Sequence, residues 1–192
     1  MTPPTTTGEE PTSQATGSER SSGTADLART VHRLGGIVGE SLPRGELAEL
    51  RRLDPASPST AAFWKLVVGE LEPLGALRGR GPRREALERR WAVILNVLAH
   101  LEHLHRPGTG YGRALAESGF SEHRFSRLLR ARGDTLWHQA RRSGQFLSAK
   151  NQQADATGLA WLVLSEGRSD AQRARRQLAR DYYRAHPTTE GG

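Results

Sequence analysis

The sequence predicts an all-α fold in which two small helical-bundle lobes follow a disordered N-terminal tail. Apolar residues recur at three- and four-residue steps through most of the chain, which is the spacing of one helix face. Alternating apolar and polar residues, the pattern of a half-buried strand, are hard to find. After the termini are set aside, roughly 160 residues are left to fold, and a chain of that length buries a substantial core.

The two ends of the chain have the composition of disordered segments. Residues 1–24 are mainly Thr, Ser, Pro, Gly and Glu, with almost no apolar side chains to bury. Ordering such a segment costs conformational entropy that no burial offsets. We therefore predict a disordered tail over residues 1–24 and a short disordered end over residues 187–192.

The N-terminal lobe is predicted over residues 25–106. Its expected helices cover residues 25–37, 44–53, 61–71 and a long segment that starts near Arg83 and ends before Pro107. The apolar face of that long helix comprises Leu87, Trp91, Ile94, Leu95, Leu98 and Leu101. The third helix follows DPASPST, a segment rich in helix breakers and N-cap residues.

The C-terminal lobe is predicted over residues 107–186, with its boundary in the flexible segment RPGTGYG. Its expected helices cover residues 113–117, 121–132, 134–147, 159–164 and 169–185. Ser121 and Asp134 stand where N-cap residues belong, and Ser169 with Gln172 matches the capping-box pattern. No repeat of solenoid length is visible.

The composition favours an anionic partner. Lysine and arginine number 28 against 21 acidic residues, which gives a net charge of +7, and the isoelectric point is about 10.8. Only Lys65 and Lys150 are lysines; arginine's planar fork suits phosphate, although a GC-rich genome also raises arginine content. The chain has no cysteine, which excludes disulfides, thiolate metal sites and cysteine nucleophiles. It also lacks a signal-peptide core and an apolar run of about 20 residues, so we expect no membrane partner and a cytoplasmic location.

The strongest concentration of charge lies between Arg113 and Arg142. This stretch has seven arginines against three acidic residues and so carries four of the chain's seven net positive charges. On a helix, Phe125, Leu128 and Leu129 fall on one side. Arg124, Arg127 and Arg130 fall on the other. A face of one sign favours phosphate binding, whereas an ordinary solvated face interleaves both signs.

Other motifs give weaker signals. HLEHLH places His100, His103 and His105 at a helix end, but it matches neither HEXXH nor its reverse, so we predict no metal site and no cofactor. GTGYG lacks the preceding strand and the spacing of a phosphate loop. No nucleophile elbow or pair of catalytic carboxylates stands out, so nothing indicates an enzyme. The four tryptophans, which are Trp64, Trp91, Trp137 and Trp161, are predicted to lie in the core.

Several segments together resemble the CasB family, the small subunit of the type I-E CRISPR surveillance complex called Cascade. They are PSTAAFWKLV, RRWAVILNVLAHL, GYGRALAESGFSEHRFSRLLRARGDTLWHQARR and ARRQLARDYYRAH. The most specific portion is GRALAESGFSEHRFSRLLRA, and the resemblance extends from about Leu47 to Tyr183. The tail before Ala25 shows no such similarity.

The resemblance implies an all-helical, two-lobed, non-catalytic protein without cofactors. It implies that two copies associate head to tail, beside the backbone subunits that hold the guide RNA and next to the large subunit. Their basic surfaces are then expected to contact target DNA and to hold the displaced strand, which favours the open R-loop.

Basic positions of the family match this chain in both predicted lobes. The matching residues are Arg51, Arg52, Lys65, Arg124, Arg130, Arg141 and Arg142. Arg127 is added from helical geometry alone, because the family pattern does not require a cation there. These eight residues are the predicted nucleic-acid-binding set.

Three other interpretations stay open at this stage. GRALAESGFSEHRFSRLLRARG also permits a helix-turn-helix of a free-standing DNA-binding regulator, with a turn at Ser118 and Gly119. A pure scaffold would use the arginines to meet acidic protein surfaces. Arg51 and Arg52 stand at a helix C-terminus, where cations complement the helix dipole, so they are also candidates for a cap of their own helix.

Overall fold

The computed structural model describes residues 15–186, with side chains from Ala25 onward. Its α-helices are α1 (Ala15–Gly36), α2 (Arg44–Arg52), α3 (Ala61–Leu66), α4 (Pro82–Leu101), α5 (Tyr111–Glu117), α6 (Glu122–Arg130), α7 (Gly133–Ala149), α8 (Thr157–Ser165) and α9 (Ala171–Ala185). Wider π-helical turns continue α1 over Ile37–Ser41 and α3 over Val67–Leu71. A 3-10 turn over Glu102–Leu104 follows α4, and the strands are β1 (His105–Gly110) and β2 (Ala154–Asp155).

The helical fold class is confirmed, with one addition. Strands β1 and β2 pair in parallel, with His105 opposite Ala154 and Gly110 opposite Asp155. Strand β1, HRPGTG, overlaps the segment RPGTGYG that is predicted to be flexible, because Gly and Pro residues are poor strand formers. Pairing with β2, which lies between α7 and α8, therefore orders the predicted linker.

Helix α1 begins earlier than predicted. It starts at Ala15 rather than near Ala25, so it extends into the segment that we predicted to be a disordered tail. The rest of that tail, residues 1–14, and the predicted disordered end at 187–192 lie outside the described residues.

Helix α4 lies at the centre of the molecule. Every residue from Trp91 to Ala99 is buried, so its second half is enclosed on all sides instead of showing the single apolar face predicted from the spacing. Helices α2, α7 and α8 pack around it. The helix ends at Leu101, before the proline predicted to end it, because Glu102 takes a positive φ of 41°.

The buried residues form one cluster that runs from Val31 to Tyr182. It includes residues of the long central helix α4 and of α7, α8 and α9 from the second half of the chain. The division into lobes over residues 25–106 and 107–186 stays a prediction. Its expected boundary, between residues 106 and 107, falls within β1.

Helix α5 approaches α9 very closely, and a glycine makes this approach feasible. A Cβ atom on Gly112 would lie 3.0 Å from the backbone nitrogen of Tyr182 and would overlap the carbonyl oxygen of Leu178. Because glycine has only a hydrogen atom in place of a side chain, the backbones of α5 and α9 can come into contact here. The contact holds α5, and through it the turn before α6, against the C-terminal helix.

The helix starts match the predicted caps only in part. Ser121 is the N-cap residue of α6, although its side chain makes no capping hydrogen bond. Asp134 lies inside the first turn of α7, and α9 begins at Ala171 after Asp170, so the capping box at Ser169 is wrong. Among the described residues, the N-cap side chain that makes a capping hydrogen bond is Thr60, whose hydroxyl oxygen accepts from the backbone nitrogen of Phe63 at 3.4 Å.

The prediction of four core tryptophans is wrong for Trp64. Trp91 is buried and donates from Nε1 to the carbonyl oxygen of Ala76 at 3.3 Å. Trp137 and Trp161 are half-buried and pack against the core. Trp64 is 41% exposed, because Phe63 and its helical neighbours already occupy the buried face of α3.

Candidate nucleic-acid interface

Helix α6 is anchored to the molecule by its apolar side. Phe125 and Leu128 are fully buried, and the ring of Phe125 stacks on that of Tyr182 in α9 with centroids 3.8 Å apart. The neighbouring Tyr183 donates its hydroxyl hydrogen to Glu122 at 2.9 Å. These contacts fix the rotation of α6 about its own axis.

That rotation leaves a row of three arginines in solvent. Arg124, Arg127 and Arg130 are all exposed, as helical geometry predicted. Within residues 25–186, none of the three has a carboxylate oxygen inside ion-pair distance. We call these residues the α6 arginine row.

Two other arginines hold the end of α6 and are not part of the row. Arg132 donates from Nη1 to the carbonyl oxygens of Arg130 and Ala131, both at 2.8 Å. Arg175, buried in α9, donates from Nε to the carbonyl oxygen of Leu129 at 2.9 Å. The last carbonyls of a helix have no partner within it, so these guanidinium groups satisfy them and fix the C-terminus of α6.

The adjacent arginines on α7 face different environments. Arg142 is exposed and has no carboxylate partner in the described part of the chain. Arg141 is half-buried and donates from Nη2 to the carbonyl oxygen of Arg51 at 3.1 Å, while its Nε is buried. Arg142 is therefore available to a ligand, and Arg141 is held inside the fold.

Arg51 also serves an internal contact. It donates from Nε to the carbonyl oxygen of Ala99 at 2.9 Å and from Nη2 to Glu102 at 2.6 Å. The guanidinium thus reaches the C-terminal end of α4 rather than capping its own helix. The end of α2 is satisfied instead by Asn96, whose Nδ2 donates to the carbonyl oxygen of Leu50 at 2.8 Å.

His100 lies close to these buried cations. Burial, together with the positive charges of Arg141 and Arg51, lowers the pKa of His100 to about 4. Its Nε2 is 3.4 Å from Nε2 of Gln145 on α7. The junction of α2, α4 and α7 therefore already holds two guanidinium groups and disfavours a third positive charge.

The remaining predicted residues lie in the first half of the chain. Lys65 is exposed but forms an ion pair with Glu46, and this hydrogen bond raises the pKa of Lys65. Arg52 is exposed and has no carboxylate partner among residues 25–186.

The eight predicted residues thus divide into two groups. Those exposed and without a carboxylate partner in the described structure are Arg52, Arg124, Arg127, Arg130 and Arg142. Those engaged by other groups of the chain are Arg51, Lys65 and Arg141. Contact with nucleic acid stays a prediction for all eight.

The sequence analysis missed a second row of cations on α9. Arg173, Arg176, Arg180 and Arg184 are exposed, and none has a carboxylate partner within the described ranges. The opposite side of the helix is buried at Ala174, Leu178 and Tyr182. Spacing of three and four residues between arginines is the signal that identifies this row in the sequence.

In the C-terminal half of the chain, α6 and α9 therefore each carry a row of outward arginines, and the aromatic contact joins the two helices.

A comparison of the sequence with family models identifies its relatives: the model for CRISPR-associated protein Cse2 matches residues 46–183. The chain belongs to the Cse2 family. Members of this family, also called CasB, are subunits of the CRISPR Cascade complex.

The fold of this Cse2 family member agrees with that assignment. It is similar to the crystal structure of CasB from Thermobifida fusca, with a TM-score of 0.61 and 19% sequence identity. The similarity covers 83% of this chain and 97% of that one. No curated protein matches the sequence significantly. Within the described residues, no helix of this Cse2 protein is long and apolar enough to span a membrane.

Proposed function

We propose that this Cse2 protein is the non-catalytic small subunit of a type I-E Cascade complex and binds the nucleic-acid backbone there. Its ligands are the target strand and the displaced strand beside the guide RNA. Two copies associate head to tail along the backbone subunits and next to the large subunit, in the cytoplasm. By holding these strands, the protein stabilises the open R-loop.

The observation that carries this proposal is the α6 arginine row. Three guanidinium groups point away from the buried side of α6, and the described structure gives none of them a carboxylate partner. Contacts of this kind attract phosphate without reading sequence. The exposed Arg142 on the following helix extends the positive surface.

The energetics of R-loop formation make a few such contacts sufficient. Base pairing with the guide reads the sequence, and the hybrid formed is about as stable as the DNA duplex that it replaces. Backbone contacts from a protein subunit therefore shift a nearly balanced exchange. This role requires no chemical step, which fits the proposal of a non-enzymatic subunit.

The test uses the assembled complex with its guide RNA. The variant carries R124A, R127A and R130A, and the control carries R113A, because Arg113 is exposed but already paired with Glu117 at 2.6 Å. We expect both complexes to assemble, and we expect the triple variant to lower permanganate reactivity of the displaced strand at a matched target. Equal reactivity in all complexes would identify the subunit as a scaffold and refute strand binding by α6.

A free-standing regulator is the second candidate, because α5 and α6 are joined by a short turn. Only residues 118–121 separate the two helices, and Gly119 takes a φ of 80° there. This arrangement is compatible with a helix-turn-helix. The exposed face of α6 contains arginines but no Asn or Gln for reading adenine.

Footprinting of the isolated protein on random duplexes separates the two functions. A Cascade subunit is expected to bind weakly and without sequence preference. Protection of a preferred operator would instead favour the regulator.

A further inference from the structure

Three potential metal ligands that are distant in sequence meet beside the small sheet. His32 lies on α1, His105 begins β1 and Asp155 ends β2. One ligand atom from each of the three lies within 4.8 Å of the others. The imidazole rings of His32 and His105 have centroids 5.6 Å apart. Two imidazoles and a carboxylate are a donor set found in zinc sites.

Asp155 is oriented by the backbone around it. Its Oδ1 accepts from the backbone nitrogen of Thr157 at 2.9 Å, and its Oδ2 accepts from that of Gly108 at 3.0 Å. The same Oδ2 is 3.1 Å from Nε2 of His32. These hydrogen bonds fix the position of the carboxylate, as outer-shell hydrogen bonds fix metal ligands.

His105 supplies the observation that points to a ligand. Its Nε2 is buried and has no hydrogen-bond partner in the described part of the chain. Gly35 of α1 makes room for this ring, since a Cβ atom there would overlap Cδ2 of His105. The other ring nitrogen of His105, Nδ1, is 3.4 Å from the backbone nitrogen of Ala156, so binding of a cation at Nε2 would require the imidazole proton to lie on Nδ1 and this contact to open. Buried polar atoms without a partner are rare in native proteins and need an explanation.

We propose that His32, His105 and Asp155 form a binding site for a divalent transition-metal ion, with zinc as the ion that best fits these ligands. Tetrahedral zinc with bonds of about 2.1 Å separates its ligands by about 3.4 Å. His32 and Asp155 are already close to that separation, so closure requires a shift of roughly 1–1.5 Å, chiefly of the His105 side chain. A water molecule, or the hydroxyl of Thr157 that lies 3.2 Å from Nε2 of His32, completes the shell.

The position of the site defines its effect. The ion would join α1, from the first half of the chain, to both strands of the sheet and thus to the connection before α8. An ion that binds only the folded state raises its stability by mass action. With zinc at about a hundred times its dissociation constant, we expect the melting temperature to rise by about 5–10 °C.

The test measures zinc binding by the full-length protein after removal of metals with EDTA. Zinc titration is followed by isothermal calorimetry, and cobalt is then substituted, because its visible absorption reports the number and type of its ligands. Variants H32Q and H105Q remove one ligand each. H103Q is the matched control, since His103 is exposed, lies two residues before His105 and is not one of the three ligands. Circular dichroism of each metal-free variant establishes that it is folded.

We expect one zinc ion per chain, a tetrahedral cobalt spectrum, and affinities at least tenfold weaker in H32Q and H105Q but unchanged in H103Q. Weakening in a folded variant cannot come from loss of structure. Failure of the wild type to bind zinc would overturn the proposal. So would binding that both ligand variants retain, because the ion would then occupy other histidines.

Discussion

At the scale of single residues, some arginines are exposed to solvent and others hold the fold together by hydrogen bonds. Two arginines that are adjacent in sequence can have different roles. Arg142 is exposed, whereas Arg141 donates to the backbone of α2. The outward positions on α6 were predictable, because they follow from the helical period and the positions of Phe125 and Leu128. The internal role of Arg141 was not predictable, because its partner Arg51 lies 90 residues away.

This difference gives a paired prediction. R142A should weaken binding to all DNA sequences equally and lower the log–log salt slope by about one, because one phosphate contact is lost. R141A should lower the melting temperature instead, since it removes a hydrogen bond worth about 1 kcal/mol in the folded state. Binding isotherms at several salt concentrations and thermal melts of both variants test this. The reverse pattern would mean that the two side chains have exchanged roles in solution.

At the scale of elements, the helices were predictable and the sheet was not. Apolar spacing identifies α2, α3, α6 and α7 to within a few residues, because each buries one side against the core. Strand β1 contains Gly and Pro, and its partner β2 is two residues long, so neither shows an alternating pattern. The cluster of His32, His105 and Asp155 depends on that pairing, and the sequence analysis missed it for the same reason.

The contact between α5 and α9 gives the prediction at this scale. G112A would place a methyl group against the backbone of Leu178 and force the helices apart. We expect the free energy of unfolding to fall by about 1–3 kcal/mol, as for other overpacked sites. Urea denaturation measures this. G45A is the control, because a Cβ on Gly45 would meet no atom within 4 Å, and equal stability of the two variants would contradict the close contact.

At the scale of the whole molecule, Arg51 from the first half of the chain and Arg141 from the second half lie close to His100 of α4. His100 is kept neutral there by burial and by the two guanidinium groups, with a pKa near 4 against an ordinary value of 6.5. As the pH falls below 6.5, the unfolded chain takes up a proton that the folded chain refuses until about pH 4. Stability is therefore lost across this interval.

The corresponding variant is H100Q, whose amide does not titrate. Its free energy of unfolding should fall less steeply than that of the wild type between pH 6.5 and pH 4. Urea denaturation across this range measures the two slopes, with H123Q, at an exposed position on α6, as the control. Parallel curves for H100Q and wild type would show that His100 titrates normally in the folded protein.

The central claim for this member of the Cse2 family is that the α6 arginine row binds polyanion. The most direct measurement is the salt dependence of DNA binding by the wild type and by the R124A/R127A/R130A variant. Each lost contact lowers the log–log slope by about 0.9 on duplex and about 0.7 on single strands, so a decrease of about two to three is expected. An unchanged slope in a folded triple variant would contradict the proposed interface.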